Sequence, residues 1–174
     1  MKAQAGALAH KTEAGAVLLN ISGESAVREA WDKLIANVTR AEPNIKLDGI
    51  LVEAMSQRGV ELVIGARRDP LWGPILLIGL GGIWVEALRD VRLVPAHAHK
   101  EQIIREIRQL RSARLLDGFR GMPAVDVDAV AQIAVKIGEL MRARHDIVEI
   151  DLNPVMVHAV GQGATALDAL IVTH

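Results

Sequence analysis

Two aliphatic runs near the middle of the chain decide the fold class: "GVELVIGARR" (59–68) and "GPILLIGLGGIWVEAL" (73–88). A third run, "LDGILVEAM" (47–55), precedes them. Runs of this length bounded by Gly, Pro and Asp are typical of strands. We therefore expect the three segments to be strands of one sheet.

More strands are predicted towards the end of the chain. The segments are "IVEIDLN" (147–153), "VMVHAV" (155–160) and, after the turn "GQG" (161–163), "ATALDALIV" (164–172). Earlier in the chain, "AVLLNI" (16–21) predicts a short buried strand. Because strands outnumber the helices between them, the sequence predicts an α/β domain whose sheet is at least partly antiparallel.

Three segments have the period of amphipathic helices. The first is "ESAVREAWDKLIANV" (24–38), and residues 99–115 form the second. The third starts within "MPAVDVDAV" (122–130), with Asp126 or Asp128 as its N-terminal cap. The apolar stripe of the first helix comprises Val27, Ala30, Trp31, Leu34, Ile35 and Val38.

The composition excludes several classes of protein. The 174 residues include 20 basic and 21 acidic side chains, whereas nucleic acids and anionic membranes favour a basic excess. The absence of cysteine excludes disulfides and thiolate metal sites. The longest apolar stretch is too short and glycine-rich to span a bilayer, and the start has no apolar core for a signal peptide. We expect a cytoplasmic protein with neither nucleic acid nor membrane as a partner.

The segment "EIDLNP" (149–154) places three oxygen-bearing side chains, Glu149, Asp151 and Asn153, on one face of a strand, because successive side chains alternate between faces. This face is either solvated, as in many half-exposed strands, or a site for Mg²⁺, which binds oxygen ligands. Pro154 is expected to end regular pairing or to mark a strand edge.

One more carboxylate converges on this face if "GQG" is the turn of a hairpin. Asp168 then lies opposite Val155 or Met156, close to Asn153 across the strand pair. Convergent oxygen atoms on adjacent strands favour the metal interpretation without excluding the other.

Two loops carry candidate functional groups. The glycines of "GLGG" (79–82) could bring backbone N–H groups to a phosphate, but no Gly-Lys-Ser/Thr follows, and a tight turn or bulge is favoured. The segment "AHKTEAG" (9–15) is either a surface loop or a mobile loop that carries a phosphate-accepting histidine, His10.

Four segments together, "AHKTEAGAV", "GVELVIGARRDPLWGPILLIGLGGIWVEALRDV", "LLDGFRGMPAVDVDA" and "EIDLNPV…ALDA", resemble the ATP-grasp domain of NDP-forming acyl-CoA synthetases. These enzymes are relatives of ADP-forming acetyl-CoA synthetase and succinyl-CoA synthetase. The resemblance covers nearly the whole chain. It implies an ATP-grasp fold with a mixed, largely antiparallel sheet and flanking helices.

The resemblance also implies cofactors, ATP or ADP with Mg²⁺, and roles for individual residues. Lys2 would reach the nucleotide phosphates, the backbone of Glu53, Ala54 and Met55 would hold the adenine, and Glu61 would bind the ribose. Asn153 and Asp168 would bind Mg²⁺, with Asp151 supporting the site. His10 would carry phosphate between the acyl-CoA site and the nucleotide.

The same resemblance implies that the first part of the domain is truncated. Residues 1–46 would be the remainder of the first ATP-grasp lobe with the His10 loop, and residues 47–174 the second lobe with hinge and metal site. CoA-binding and ligase domains, in the same polypeptide or a partner subunit, would supply the sites for CoA and a small acid. Alone, the chain is expected to be inactive and to self-associate as a homo-oligomer.

Two alternatives remain open at this point. The chain could be a regulatory nucleotide-binding module fused to a protein acyltransferase. It could also be a non-catalytic domain that makes only subunit contacts.

Overall fold

A computed structural model describes residues 1–5, 14–82, 88–119 and 121–174. The chain divides into two compact units, Met1–Met55 and Ser56–His174. The division follows backbone packing, which does not by itself define a nucleotide-binding lobe. The lobe boundary between residues 46 and 47 therefore stays a prediction.

The first unit contains one helix and a two-stranded sheet. Strand β1 (Lys2–Gln4) pairs antiparallel with β2 (Gly49–Leu51), and helix α1 (Glu24–Ala41) buries Ala30, Leu34 and Val38. The predicted helix is confirmed, but only part of its apolar stripe is covered. Trp31 is 45% exposed and Ile35 38% exposed.

One strand prediction in this unit was wrong, and a second was right only for a short strand in a different sheet. The segment 16–21 forms no strand; only Val17 makes an isolated bridge, to Lys2. Backbone hydrogen bonds from Ala3 N–H to the Ala16 carbonyl and from Leu18 N–H to the Met1 carbonyl flank this bridge, so the contact with β1 is too short to form a strand. The segment 47–55 contributes only β2, which pairs with β1 and not with the larger sheet.

The second unit contains the antiparallel sheet that the sequence predicts. Its strands are β3 (Val60–Asp69), β4 (Gly73–Leu80), β5 (Val91–Pro95), β6 (Ile147–Val157), β7 (Ala164–Ala166) and β8 (Leu170–Thr173). The order is β5-β4-β3-β6-β7, with β8 also paired to β6, and every pair is antiparallel.

Two helices cover one side of this sheet. Helix α2 (Lys100–Ile107) buries Ile103 and Ile107, and α3 (Val127–Ala143) packs against β3, β4 and β6. Asp126 caps α3 by accepting the backbone N–H of Ala129, which confirms one of the two predicted caps. No helix in the described part of the chain is long and apolar enough to cross a membrane.

Helix α2 is shorter than the predicted 99–115. The buried carboxylate of Asp90 accepts the backbone N–H groups of Arg111 and Ser112 at 2.9 and 2.7 Å. These bonds replace helical ones, and a 3₁₀ turn (Ala113–Leu115) follows.

Strand β6 continues through Pro154, which corrects the prediction that pairing ends there. Leu62 of β3 pairs with Val155, whereas Ile64 pairs with Leu152, so β6 has one residue more than β3 in this interval. Such a bulge leaves a residue out of the ladder, and proline, which has no N–H to donate, is tolerated there. The Asn153–Pro154 peptide is cis.

Candidate functional site

Strand alternation gives the sheet of the second unit two different sides. Ile150 and Leu152 of β6 lie in the core beneath α2 and α3. The opposite side, here called the open face, receives Asp151 and Asn153 from β6 and Glu61 from β3. The predicted nucleotide and metal residues of this unit therefore share one side of the sheet.

The position of Asp168 differs from the prediction. Ala166 lies opposite Val155 and Thr165 opposite Met156, because β7 ends at Ala166 and the chain bends before β8. The N–H of Leu167 donates to the carbonyl of Pro154 at 2.9 Å, so Asp168 lies further along β6 than expected, towards Asn153. Its exposed carboxylate is close enough to act electrostatically on Asp151.

Asp151 is the most perturbed carboxyl of this face. Burial raises its pKa above the ordinary value of 3.8, and the negative charges of Glu149 and Asp168 raise it further. The side chain is half-buried and adjacent to anions, an arrangement that a cation would stabilise.

The donor set fits a magnesium ion that is shared with a substrate. Asp151, Asp168 and Asn153 offer two carboxylates and an amide oxygen, the ligand chemistry of Mg²⁺. Across the described ranges no three His, Cys, Asp or Glu side chains form a group that could hold a metal ion. Mg²⁺ commonly completes its coordination with water and substrate phosphates, so a set this small is adequate only when phosphate is bound.

The glycine segment after β4 joins this group of side chains. The N–H of Gly81 donates to the Glu61 carbonyl at 2.8 Å, and the N–H of Gly82 donates to Asn153 Oδ1 at 3.3 Å. A side chain at Gly82 would overlap the Glu61 carboxylate. The sequence favoured only a turn or bulge here. Gly82 contributes through its backbone N–H, so no side chain in the sequence indicated its role.

The other predicted nucleotide residues lie in the first unit. Lys2 Nζ is 2.9 Å from Glu53 Oε2, which brings together the predicted phosphate-binding lysine and the predicted adenine segment. Ala54 and Met55 are exposed and belong to no helix or strand. His10 lies outside the described residues, and its role stays a prediction.

Comparison with known proteins identifies the family. Residues 1–173 match the ATP-grasp domain family. Over 172 residues the chain is 37% identical to the beta subunit of ADP-forming acetate–CoA ligase I from Pyrococcus furiosus, and the match spans 99% of the chain and 73% of that subunit. The chain is an ATP-grasp domain of the ADP-forming acyl-CoA synthetase family.

The ATP-grasp domain also resembles part of a longer protein. It is 45% identical over 171 residues to trans-feruloyl-CoA synthase FCS1 from an unknown prokaryotic organism, a match that spans 98% of this chain but 24% of that synthase. The domain thus spans about a quarter of the synthase and about three quarters of the beta subunit.

Solved structures confirm the predicted fold. The dinucleotide-forming acetyl-coenzyme A synthetase 1 of Ca. Korarchaeum cryptofilum, in complex with coenzyme A, Ca-AMPCP and HgCl⁺, superimposes with a TM-score of 0.94 at 37% identity, over 99% of this chain and 75% of that one. A second structure of that enzyme contains coenzyme A and Mg-AMPPCP, with a phosphohistidine segment pointing towards the nucleotide binding site. Its TM-score is 0.85 at 34% identity, over 100% of this chain and 75% of that one.

Proposed function

We propose that this ATP-grasp domain binds a magnesium–nucleotide complex and transfers phosphate in an ADP-forming acid–CoA ligase. The overall reaction would be acid + CoA + ATP ⇌ acyl-CoA + ADP + phosphate. The main support is the convergence of Asp151, Asn153 and Asp168: burial and the negative charges of Glu149 and Asp168 raise the pKa of Asp151, an environment that a cation would stabilise. CoA-binding and ligase domains would act as partners, in the same polypeptide or as a separate subunit.

In this proposal each residue of the open face has one task. Asp168 and Asn153 bind the cation and Asp151 supports them, while Glu61 accepts hydrogen bonds from the ribose hydroxyls. When bound, Mg²⁺ supplies charge neutralisation to the nucleotide phosphates. Lys2 contributes a further positive charge for the phosphates if the nucleotide displaces Glu53 from it.

His10 is proposed to accept the phosphate. One imidazole nitrogen attacks the γ-phosphorus, a P–N bond forms, and the P–O bond to ADP breaks. Lys11 would neutralise the incoming charge, and Glu13 would orient the ring through its second nitrogen and accept that nitrogen's proton. The phosphoryl group then passes to the acyl substrate, and attack by CoA on the acyl phosphate releases phosphate.

The first experiment measures nucleotide binding in the complete protein that contains this chain. Calorimetric titration with ADP over a range of Mg²⁺ concentrations should show that Asp168→Asn raises the Mg²⁺ requirement at least about tenfold, since one of few charged ligands is lost. Glu139→Gln is the matched control, because it also removes one carboxylate charge but lies exposed on α3, which packs against the other side of the sheet. An unchanged Mg²⁺ requirement in Asp168→Asn would contradict the metal assignment.

The second experiment tests the histidine. Incubation with γ-labelled ATP and Mg²⁺ should give an acid-labile, base-stable label that His10→Ala abolishes while ADP binding is retained. His145→Ala, which changes an exposed histidine at the end of α3, should label normally. Normal acyl-CoA formation by His10→Ala would show that His10 is an ordinary loop residue.

A further inference from the structure

Gly82 lies where three adjacent strands bring their open-face residues together. It follows β4, while Glu61 is the second residue of β3 and Asn153 lies on β6. Its N–H donates to Asn153 Oδ1 at 3.3 Å, and its backbone φ of +63° is in the left-handed region. A Cβ at this position would overlap the carboxylate of Glu61.

The hydrogen bond determines which atom of the Asn153 amide faces the glycine. A side-chain amide presents either an oxygen acceptor or an NH₂ donor, and only the oxygen can accept from the Gly82 N–H. That oxygen has two acceptor sites. One is used by Gly82, so the other remains in a fixed direction for a cation.

The absent side chain of Gly82 has a separate effect on Glu61. The Glu61 backbone is fixed because its carbonyl accepts the N–H of Gly81. Its carboxylate extends over the Cα of Gly82, in space that any other residue would fill. Gly82 therefore donates a hydrogen bond to a proposed metal ligand, Asn153, and its lack of a Cβ leaves room for the carboxylate of a proposed ribose ligand, Glu61.

We propose that Gly82 is a positioning residue that orients Asn153 and Glu61 together. It sets the amide oxygen of one and the carboxylate of the other, and so couples metal binding to nucleotide binding. The coupling of metal binding to nucleotide binding rests on the proposed function, but the positioning of Asn153 and Glu61 is a property of the ligand-free protein. This separates its test from the test of the function.

The test compares Gly82→Ala with Gly73→Ala. Gly73 has a similar φ of +72°, but a Cβ there meets nothing within 4 Å. Both substitutions carry the backbone cost of alanine in the left-handed region, and only one disturbs the open face. Any difference between them therefore reports the contacts of Gly82 and not its backbone strain.

The first readout is nuclear magnetic resonance of the ligand-free protein. Gly82→Ala should shift the side-chain NH₂ resonances of Asn153 and the carboxyl resonance of Glu61, whereas Gly73→Ala should leave both unchanged. If Gly82→Ala does not fold, Asn153→Ala probes the same bond from the other partner. Its expected effect is roughly tenfold faster hydrogen exchange at the Gly82 amide, because the bond is lost. Unchanged resonances, or unchanged exchange, would overturn the proposal.

The second readout is the Mg²⁺ dependence of ADP binding. Gly82→Ala should raise the Mg²⁺ midpoint about tenfold and Gly73→Ala should not, since only the first moves a ligand. Adding Glu61→Ala to Gly82→Ala removes the overlap, so the pair should be non-additive and the Mg²⁺ midpoint should return towards that of Glu61→Ala alone. Equal effects of the two glycine substitutions, or strict additivity, would overturn the coupling. If the unsubstituted protein binds no ADP, the proposed function fails while the resonance data still decide the positioning.

Discussion

The two compact units of the chain differ in how much apolar surface they bury. The second unit has one continuous core that extends from β5 across β4, β3 and β6 to α2 and α3. In the described part of the first unit the buried apolar residues form two clusters of three: Ala3, Ala16 and Val38, and Met1, Ala30 and Leu34. The free energy of folding of the first unit therefore rests on far fewer apolar contacts.

This difference predicts which unit of the domain opens at the lower free energy. Segments with few buried contacts open at lower free energy than those in a continuous core. We expect amide hydrogens of the first unit to exchange before those of β3, β4 and β6. The open-face residues Glu61, Asp151 and Asn153 are borne by the strands that we expect to exchange last.

The largest expected effect is the loss of a core side chain in the second unit. Ile64→Ala should lower the free energy of unfolding by about 2–5 kcal/mol, because Ile64 is fully buried and its removal leaves a cavity. Ile35→Ala in α1 is the matched control, since Ile35 is 38% exposed and its loss should cost about 1 kcal/mol or less. Urea unfolding with hydrogen-exchange mass spectrometry measures both. Equal losses of unfolding free energy in Ile64→Ala and Ile35→Ala would contradict the inferred difference between the two units.

The second prediction concerns Asp90, whose carboxylate holds the chain after α2. Burial raises its pKa, but hydrogen bonds from the Ser112 side chain and from the N–H groups of Arg111 and Ser112 lower it more, so that it lies below 3.8. The group stabilises the fold above its unfolded pKa, and the stabilisation is lost as the pH falls through the folded pKa. Asp90→Asn should cost about 1–3 kcal/mol at pH 7.

The pH dependence of that cost checks its origin. The difference in free energy of unfolding between the unsubstituted protein and Asp90→Asn should shrink as the pH falls from about 5 to below 3.8. A difference that is constant over this range would show that the carboxylate charge contributes nothing.

The third prediction separates two aspartates at the start of α3, the N-cap Asp126 and the first-turn Asp128. Asp126 accepts the N–H groups of Ala129, Gly161 and Gly163 and so ties the helix to the β6–β7 turn, and Asp126→Ala should cost about 1–2 kcal/mol. Asp128 is half-exposed and contacts the side chains of Lys100 at 2.8 Å and Gln132 at 2.6 Å, so Asp128→Ala should cost less than Asp126→Ala. Thermal unfolding should rank the two in this order; the reverse order would contradict the capping role.

The smallest effect is expected at the tip of the β3–β4 hairpin. Trp72 is 82% exposed, and the turn is held by Asp69 Oδ1, which accepts the backbone N–H groups of Leu71 and Trp72 at 2.8 and 2.9 Å. Because those bonds do not involve the indole, Trp72→Ala should change the free energy of unfolding by no more than about 0.5 kcal/mol. A loss above about 1 kcal/mol would show that the indole is covered in solution.

Local sequence signals predicted several elements correctly. β3, β4, α1, α3 and the Asp126 cap were predicted because strand runs, helical spacing and a capping residue are local signals. The exposure of Trp31 and Ile35 was not predictable, because an apolar stripe indicates a face and not what lies against it.

The failures come from partners that are distant in sequence. The aliphatic run 16–21 meets β1 at a single bridge, Asp90 ends α2 from about twenty residues away, and the bulge opposite β3 lets β6 continue through Pro154. In the site, alternation predicted that Asp151 and Asn153 share a face. The positions of Asp168 and Gly82 depend on hairpin register and backbone geometry, which no local pattern fixes.

Because the two sides of β6 differ in character, a change in the length of this strand should disrupt the domain more than a change of one residue. A substitution in β6 alters one side chain and leaves every other residue on its own side of the sheet. A deletion of one residue between Ile147 and Leu152 would instead exchange the sides for that stretch, with Asp151 directed towards α3 and its aliphatic neighbours towards water. A deletion scan of the domain should therefore find β6 intolerant of a one-residue deletion over these positions.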